Sequence, residues 1–359
     1  MFRLLFENQV FQKIEDLQTK GENEILDSAL AFCGDWVSGK TVFSQKTSGS
    51  TGAPKEITLT RDRLKESAEA TGKFFGSNSE LKLLCCLHPG YIAGKMMLLR
   101  AMVWECEIRL VMPSSEPLSS LPEAYQPDFV AMVPLQVEKT LENDSGKRKL
   151  KKLKTLLIGG APLSLSLQEK IAAELDNAWQ SFGMTETVSH IALAKITDQT
   201  LSYQALPGVK MGADERGALW VESPMSGPET IQTNDLVHFQ SDGSFQWLGR
   251  LDFVINSGGI KLHPELLERK VEMSIQKFFP DSRFIFGGTP DEHLGQKLVL
   301  LIESKAKDSE KAGNLREELS KYLDRFSQPK EIIILDKFSE TGSGKIDRMK
   351  TLANAQPDC

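Results

Sequence analysis

Four short apolar runs, LKLLCCL, EIRLVM, DFVAMVP and TLLIGG, alternate with helix-patterned segments between residues 81 and 160, and this alternation limits the fold more than any other feature. The runs have the length and content of strands. Between and after them, IAGKMMLLRAMVW, the stretch from Val137 to Leu141 and SLQEKIAAEL carry apolar residues at helical spacing. Alternation of this kind predicts α/β architecture.

The flanks add detail. In the first forty residues Phe11, Ile14 and Leu17, then Ile25, Leu26, Ala29, Leu30 and Phe32, recur at helical spacing, which predicts amphipathic helices. A glycine- and serine-rich segment at 47–55 precedes ITLT, whose alternation suits a short strand, and a helix follows from about Arg63 to Phe75. From about residue 205 short strands with glycine turns (GALWVES, LVHF, SDGSFQWLG) predict a β-rich subdomain. After GRLD the pattern restarts as a loop (SGGIKLHP), a helix (PELLERKVEMSI), two strands (RFIFGG, LVLLIES), a charged helix and EIIILD, a small α+β unit. A chain of 359 residues exceeds the usual size of one core. The expected division is a large N-terminal domain, 1–251, and a small C-terminal domain, 252–359, with Asp252 at the boundary.

Composition excludes several classes. A formal charge of -6 argues against a nucleic-acid binder, and the basic run from Lys147 to Lys154 (KRKLKKLK) reads as a solvated helix face. Five cysteines without a CxxC pair or metal-type spacing predict neither a zinc site nor a disulfide framework, so reduced thiols in a cytoplasmic protein are expected. The N-terminus lacks a signal-peptide core, and no apolar stretch approaches the roughly 20 residues that span a bilayer, so no membrane insertion is expected.

Several segments carry groups suited to chemistry. Thr47-Ser48-Gly49-Ser50-Thr51-Gly52-Ala53-Pro54-Lys55 packs four hydroxyls, two glycines and a lysine into nine residues. Hydroxyls, free backbone N–H groups and a cation suit a polyphosphate. The segment is not a Walker loop, because Lys55 follows Ala-Pro and the next residues look extended; a surface turn is the alternative. Ser181-Phe182-Gly183-Met184-Thr185-Glu186 is expected on the loop that leaves a strand, where ligands bind in an open α/β sheet. There Thr185 could donate to a phosphate and Glu186 could hold a divalent metal, although both also suit helix capping. Asp235 in TNDLV could accept ribose hydroxyls, and Arg250 in GRLD supplies a cation; each alone also fits a surface turn or ion pair. Lys345, in TGSGKIDR, sits on a glycine-flanked loop close to the C-terminus.

TSGSTGAPK, IGGAPL, SFGMTET, TND, GRLDFVINSGGIKLHP and TGSGKIDR resemble, in that order over residues 47–348, the core motifs of the adenylate-forming acyl-CoA synthetase superfamily. The resemblance implies that the loop from Thr47 to Lys55 covers the ATP phosphates. Gly159, Gly160, Ala161 and Pro162 would form the adenine slot with Ser181, Phe182 and Gly183. Thr185 would meet the α-phosphate, Glu186 the Mg2+ ion, Asp235 the ribose, and Arg250 the ribose and phosphate. Lys345 would stabilise charge in the first of two steps, in which a carboxylate attacks the α-phosphorus and pyrophosphate leaves. Rotation of a mobile C-terminal domain about Asp252 would then bring Gly258, Gly259 and Lys261 to the coenzyme A channel, and some lysines of the basic run could touch that coenzyme's nucleotide end.

The segment from Leu87 to Arg100 corresponds to the stretch that forms the acyl pocket in this superfamily. Tyr91 stands where histidine is common, so it reads as a gate or packing aromatic beside Gly94. Lys95 and Arg100 on this otherwise apolar helix would suit an acid carrying a second anionic group. Other aryl- or acyl-CoA ligases, for benzoate-like or medium-chain acids, share every nucleotide residue and remain open. So does an amino-acid-activating domain, although LHPGYIAGKMML lacks the aspartate that such domains use for the substrate ammonium. The large domain is shorter than is usual for the superfamily, which leaves a homodimer open.

Overall fold

The computed structural model describes residues 1–46, 56–119, 121–280, 282–305, 309–341 and 346–355. Its elements run β1 (Arg3–Phe6), β2 (Gln9–Phe11), α1 (Ile14–Leu17), α2 (Glu24–Val37), β3 (Val42–Lys46), β4 (Glu56–Thr60), α3 (Arg61–Phe75), β5 (Lys82–Cys85), α4 (Ile92–Val103), β6 (Glu107–Leu110), β7 (Phe129–Met132), α5 (Pro134–Glu142), α6 (Asp144–Lys152), β8 (Thr155–Ile158), α7 (Leu165–Glu174), β9 (Ala178–Gly183), β10 (His190–Lys195) and β11 (Gln204–Ala205). There follow β12 (Lys210–Ala213), β13 (Ala218–Glu222), β14 (Ile231–Phe239), β15 (Phe245–Arg250), β16 (Ile255–Ser257), β17 (Ile260–Leu262), α8 (Pro264–Phe278), β18 (Phe284–Asp291), β19 (Gly295–Glu303), α9 (Ser309–Leu319), β20 (Glu331–Leu335) and α10 (Arg348–Asn354).

The expected α/β architecture is present. A nine-stranded sheet has the order β11-β10-β9-β8-β7-β5-β6-β1-β2. Its centre, from β6 through β5, β7 and β8 to β9, is parallel. Both β7 and β8 are buried at every position, as strands covered on both faces must be. The β-rich subdomain is the antiparallel sheet β12-β13-β14-β15, and β3 and β4 form a separate hairpin.

The N-terminus departs from its helical expectation. Residues 3–11 form a hairpin whose first strand pairs in parallel with β6, and Phe11 lies opposite Leu4, both buried. Phe11 therefore belongs to an alternation of period two, while Ile14 starts the short α1 and is 54% exposed. Strands of four and three residues are too short to show their own period, and pairing with β6 decides the outcome.

One core runs from Leu4 to Phe245, and separate cores begin at Ile255 and Ile285. Between them Leu251–Phe253 is a 3₁₀ turn with no buried residue. The C-terminal sheet follows the order β17-β16-β19-β18, with β20 on β19. It meets the larger part through α8: Glu272 Oε2 accepts from the Leu165 backbone N–H at 2.6 Å and Oε1 from Ser166 Oγ at 3.3 Å, at the start of α7. Arg269 donates to Gln168 beside them.

Candidate active site

The carboxyl ends of β8 and β9 lie side by side. Ser181 Oγ donates to the Ile158 carbonyl at 3.1 Å, and Gln180 Nε2 to the Ala161 carbonyl at 3.2 Å. Gly160 (φ +86°), Ala161 and Pro162 are exposed just beyond the buried strand, forming a ledge where ligands settle on open α/β sheets. Ser181, Phe182 and Gly183 lie within β9, whereas a loop was expected. Antiparallel pairing with β10, Ser181 opposite Leu193 and Gly183 opposite His190, extends the strand that far. A Cβ at Gly183 would stand 2.3 Å from the Ser189 carbonyl oxygen, so the return of the chain into β10 requires glycine there.

Thr185, Glu186 and Thr187 form a 3₁₀ turn at this end, closed by Val188 at φ +66°. Thr187 Oγ1 accepts from the Met184 N–H at 3.2 Å. From α3, Arg63 donates to the Glu186 carbonyl at 2.5 Å and to the Met225 carbonyl at 2.8 Å, pinning the turn. The Glu186 side chain is exposed. Among the described residues no group of three or more His, Cys, Asp or Glu could hold a metal by itself. A single carboxylate fits Mg2+, which takes one or two protein ligands and the rest from phosphates and water.

Asp235 and Arg250 face each other across β14 and β15. Trp247 Nε1 donates to Asp235 Oδ1 at 3.0 Å. Burial pushes the Asp235 carboxyl above its ordinary value, against the Trp247 bond and the Arg250 charge. Arg250 reaches Asp252 at 2.6 Å, and Asn234 Nδ2 donates to the other oxygen of that carboxylate at 2.8 Å. Phe245 of the same strand packs edge-on against Phe182 at 5.3 Å, joining this strand pair to the β9 end.

In the candidate acyl segment Tyr91 is the residue before α4, 68% exposed and edge-on to His88 at 5.4 Å. A Cβ at Gly94 would lie 2.4 Å from the His88 carbonyl oxygen, so glycine lets α4 pack on the preceding loop. The two cations of α4 separate. Lys95 Nζ donates to Gln45 Oε1 at 2.9 Å, and burial lowers its pKa, helped by Lys40 and opposed by Asp35. Arg100 is 2% exposed and touches Met97 Sδ at 3.6 Å, Ser189 Oγ at 3.3 Å and His190 Nδ1 at 3.5 Å. Its Nε has no partner, no acidic side chain among the described residues pairs with it, and burial pulls its pKa down to about 10.

Thr47, Ser48, Gly49, Ser50, Thr51, Gly52, Lys55 and Lys345 lie outside the described residues. Gly258 and Gly259, both with positive φ, turn the β16–β17 hairpin, with Lys261 on β17. Within the basic run, Lys147 and Lys151 pair with Glu174, while Lys149 donates to the Leu118, Leu121 and Pro122 carbonyls. Sequence reasoning missed Arg63, Gln180, Ser189, His190 and Trp247. Of these only His190, a polar residue opening the apolar run HIALA, carried a local signal.

A match to the AMP-binding enzyme family spans residues 28–214. The chain is similar to a 2-succinylbenzoate--CoA ligase of Listeria monocytogenes serotype 4b, 26% identical over 90% of this chain and 72% of that one. Among solved structures, an acyl-CoA synthetase (AMP-forming)/AMP-acid ligase II-like protein from Dyadobacter fermentans is 37% identical, with a TM-score of 0.63 over 94% of this chain and 97% of that one. The fold is shared with o-succinylbenzoate CoA synthetase of Bacillus subtilis, solved with the acyl-adenylate intermediate OSB-AMP (TM-score 0.71, 20% identity, 88% of this chain and 69% of that one). No helix among the described residues is long and apolar enough to cross a membrane.

Proposed function

The chain belongs to the AMP-binding enzyme family, among the adenylate-forming acyl-CoA ligases, and we propose that it joins o-succinylbenzoate to coenzyme A at the expense of ATP. The succinyl carboxylate attacks the α-phosphorus and pyrophosphate leaves; Mg2+ held at Glu186 would supply positive charge to the departing phosphates. The coenzyme A thiol then attacks the acyl-adenylate carbonyl, losing its proton and expelling AMP, to give the thioester of menaquinone (vitamin K2) biosynthesis.

The chain's own residues divide this work. The ledge at Gly159 to Pro162 and the Ser181 to Gly183 strand end take the adenine. Asp235, held by Trp247, accepts the ribose hydroxyls, and Arg250 stands opposite it. Thr185 and Glu186, on the turn fixed by Arg63, meet the α-phosphate and the Mg2+ that arrives with ATP. Thr47 to Lys55 close over the β- and γ-phosphates, and Lys345 supplies the moving cation. Residues 1–251 and 252–359 act as two domains with Asp252 at the hinge, and Gly258, Gly259 and Lys261 approach the coenzyme A channel after rotation. The setting is cytoplasmic.

The observation that carries the substrate is Arg100, a buried guanidinium with no counter-ion among the described residues, beside Ser189, which lies three residues beyond Glu186. A buried cation is costly unless something pairs with it, and the ring carboxylate of o-succinylbenzoate would do so. Lys95, already bonded to Gln45, is the weaker candidate for that role.

Pyrophosphate release should be measured with o-succinylbenzoate, 4-oxo-4-phenylbutanoate (the same acid without its ring carboxylate), benzoate, hexanoate and amino acids. o-Succinylbenzoate is expected to give the highest kcat/KM; a higher value for any other acid overturns the substrate. Arg100→Met keeps the volume and removes the charge. It is expected to raise KM for o-succinylbenzoate by about 10- to 100-fold, the worth of a charge-assisted hydrogen bond, with little change in KM for ATP. Equal small changes in both would exclude Arg100 from the acid site.

A further inference from the structure

The environment of Arg100 has a second residue whose chemistry decides what the cation can do. His190, the first residue of β10, is buried. Its Nε2 lies 3.0 Å from Thr71 Oγ1, and the Thr71 hydroxyl donates its one proton to the Ser67 carbonyl at 2.9 Å. With that proton committed, Thr71 Oγ1 can only accept, so Nε2 of the imidazole carries the hydrogen. Nδ1 then presents a lone pair to Arg100 Nη2, 3.5 Å away. Burial, with the Arg100 charge added, holds the ring well below its ordinary pKa and therefore neutral.

We infer that His190 is a positioning residue that orients Arg100 without neutralising it, and so selects for an acid bearing a second carboxylate. The distinction from the usual partner of a buried arginine is electrostatic. A carboxylate at this place would pair with the guanidinium and cancel its charge before any substrate arrived. A neutral imidazole takes one N–H direction and leaves the positive charge uncompensated for a ligand. The hydrogen-bonded chain from the Ser67 carbonyl through Thr71 to His190 holds the tautomer and tethers the ring to α3. Ser189 Oγ, 3.3 Å from the same Nη2, accepts weakly and is neutral as well. The inference rests on the reading that Arg100 receives the second carboxylate of the substrate.

The test is an isosteric pair, His190→Asn and His190→Asp, assayed beside Arg100→Met for KM and kcat with o-succinylbenzoate and with 4-oxo-4-phenylbutanoate. The asparagine amide can still present a neutral oxygen to Arg100, so it is expected to keep the preference for the dicarboxylate within about 3-fold of the parent. The aspartate is expected to erase most of that preference, through a rise of about 30-fold or more in KM for o-succinylbenzoate rather than a fall in kcat. Parallel behaviour of the two variants, with Arg100→Met still erasing the preference, would overturn His190 alone and leave the substrate reading intact. A parent enzyme without the preference, or one whose preference survives Arg100→Met, would overturn both. If His190→Asp does not fold, the imidazole ¹⁵N resonances of the unsubstituted chain decide: a neutral ring protonated at Nε2 is expected, and an imidazolium or an Nδ1–H tautomer would overturn the proposal.

Discussion

Lys345→Ala is expected to slow acyl-adenylate formation by about 10²- to 10³-fold, while thioester formation from preformed acyl-adenylate stays within a few-fold of the parent. The first figure is the usual loss when one group that stabilises developing transition-state charge is removed. The asymmetry follows from the proposed two-step cycle, in which this cation serves the attack on the α-phosphorus and has withdrawn when the thiol attacks. The flanking chain is well anchored. Glu340 and Ile346 form an antiparallel bridge, Asp347 Oδ1 accepts from the Lys350 N–H at 3.0 Å to cap α10, and Arg348 is bound to Glu268. Pyrophosphate release reports the first step, and rapid mixing of coenzyme A with synthetic acyl-adenylate reports the second. Equal losses in both would remove Lys345 from its assigned role.

The second large effect concerns stability. Arg348 donates to Glu268 Oε1 at 2.6 Å and also to Oε2, and packs over the Phe253 ring at 5.3 Å. Glu268 Oε1 also accepts from the Phe286 N–H at 2.8 Å. The two side chains are 16% and 14% exposed, so removing one member of this largely enclosed pair leaves a poorly compensated charge, and Arg348→Met is expected to cost about 3 kcal/mol in denaturant melts. Burial already lifts the Glu268 carboxyl above its ordinary value despite Arg348, and without that cation it rises further. A carboxyl whose folded pKa exceeds its unfolded one favours the fold only while protonated. The deficit of the variant relative to the parent should therefore be small in acid, deepen as pH climbs through the parent's own raised Glu268 value, and level off beyond the still higher value of the variant. Adding Glu268→Leu should recover much of the loss; a double variant no better than the single one would contradict this account.

What the sequence discloses here depends on where each signal resides. Short apolar runs such as TLLIGG, alternating with helix-patterned segments, disclosed the α/β alternation, and β8 is buried at every position as a strand covered on both faces must be. Motif order pointed to the family, and the strand ends at Ile158 and Gly183 lie together as that order implies. The N-terminal hairpin was illegible because its strands gain their stability from β6, some hundred residues away. The same holds for Gln180, whose neighbour Ala161 lies beyond another strand, while His190, marked locally by opening the run HIALA, does not disclose Arg100 as its neighbour. Arg63 reads locally as one more charged helix residue, and only the backbone carbonyls of Glu186 and Met225 reveal its purpose. Long-range neighbours of this kind leave no periodic trace.

The Glu272 carboxylate at the start of α7 has a thermodynamic consequence. That helix has its own cap in Ser164, whose Oγ accepts from the Leu167 N–H at 3.2 Å, and Glu272 from α8 satisfies the Leu165 N–H as well. Swinging the C-terminal unit away, as the proposed rotation requires, would trade the Glu272 bonds to Leu165 and Ser166 and the Arg269 bond to Gln168 for water, each worth about 1 kcal/mol. Under that proposal a few exchangeable bonds of this size would bias the two poses without freezing either. Raising the ionic strength would weaken the Glu272 contribution by screening the carboxylate from the helix end.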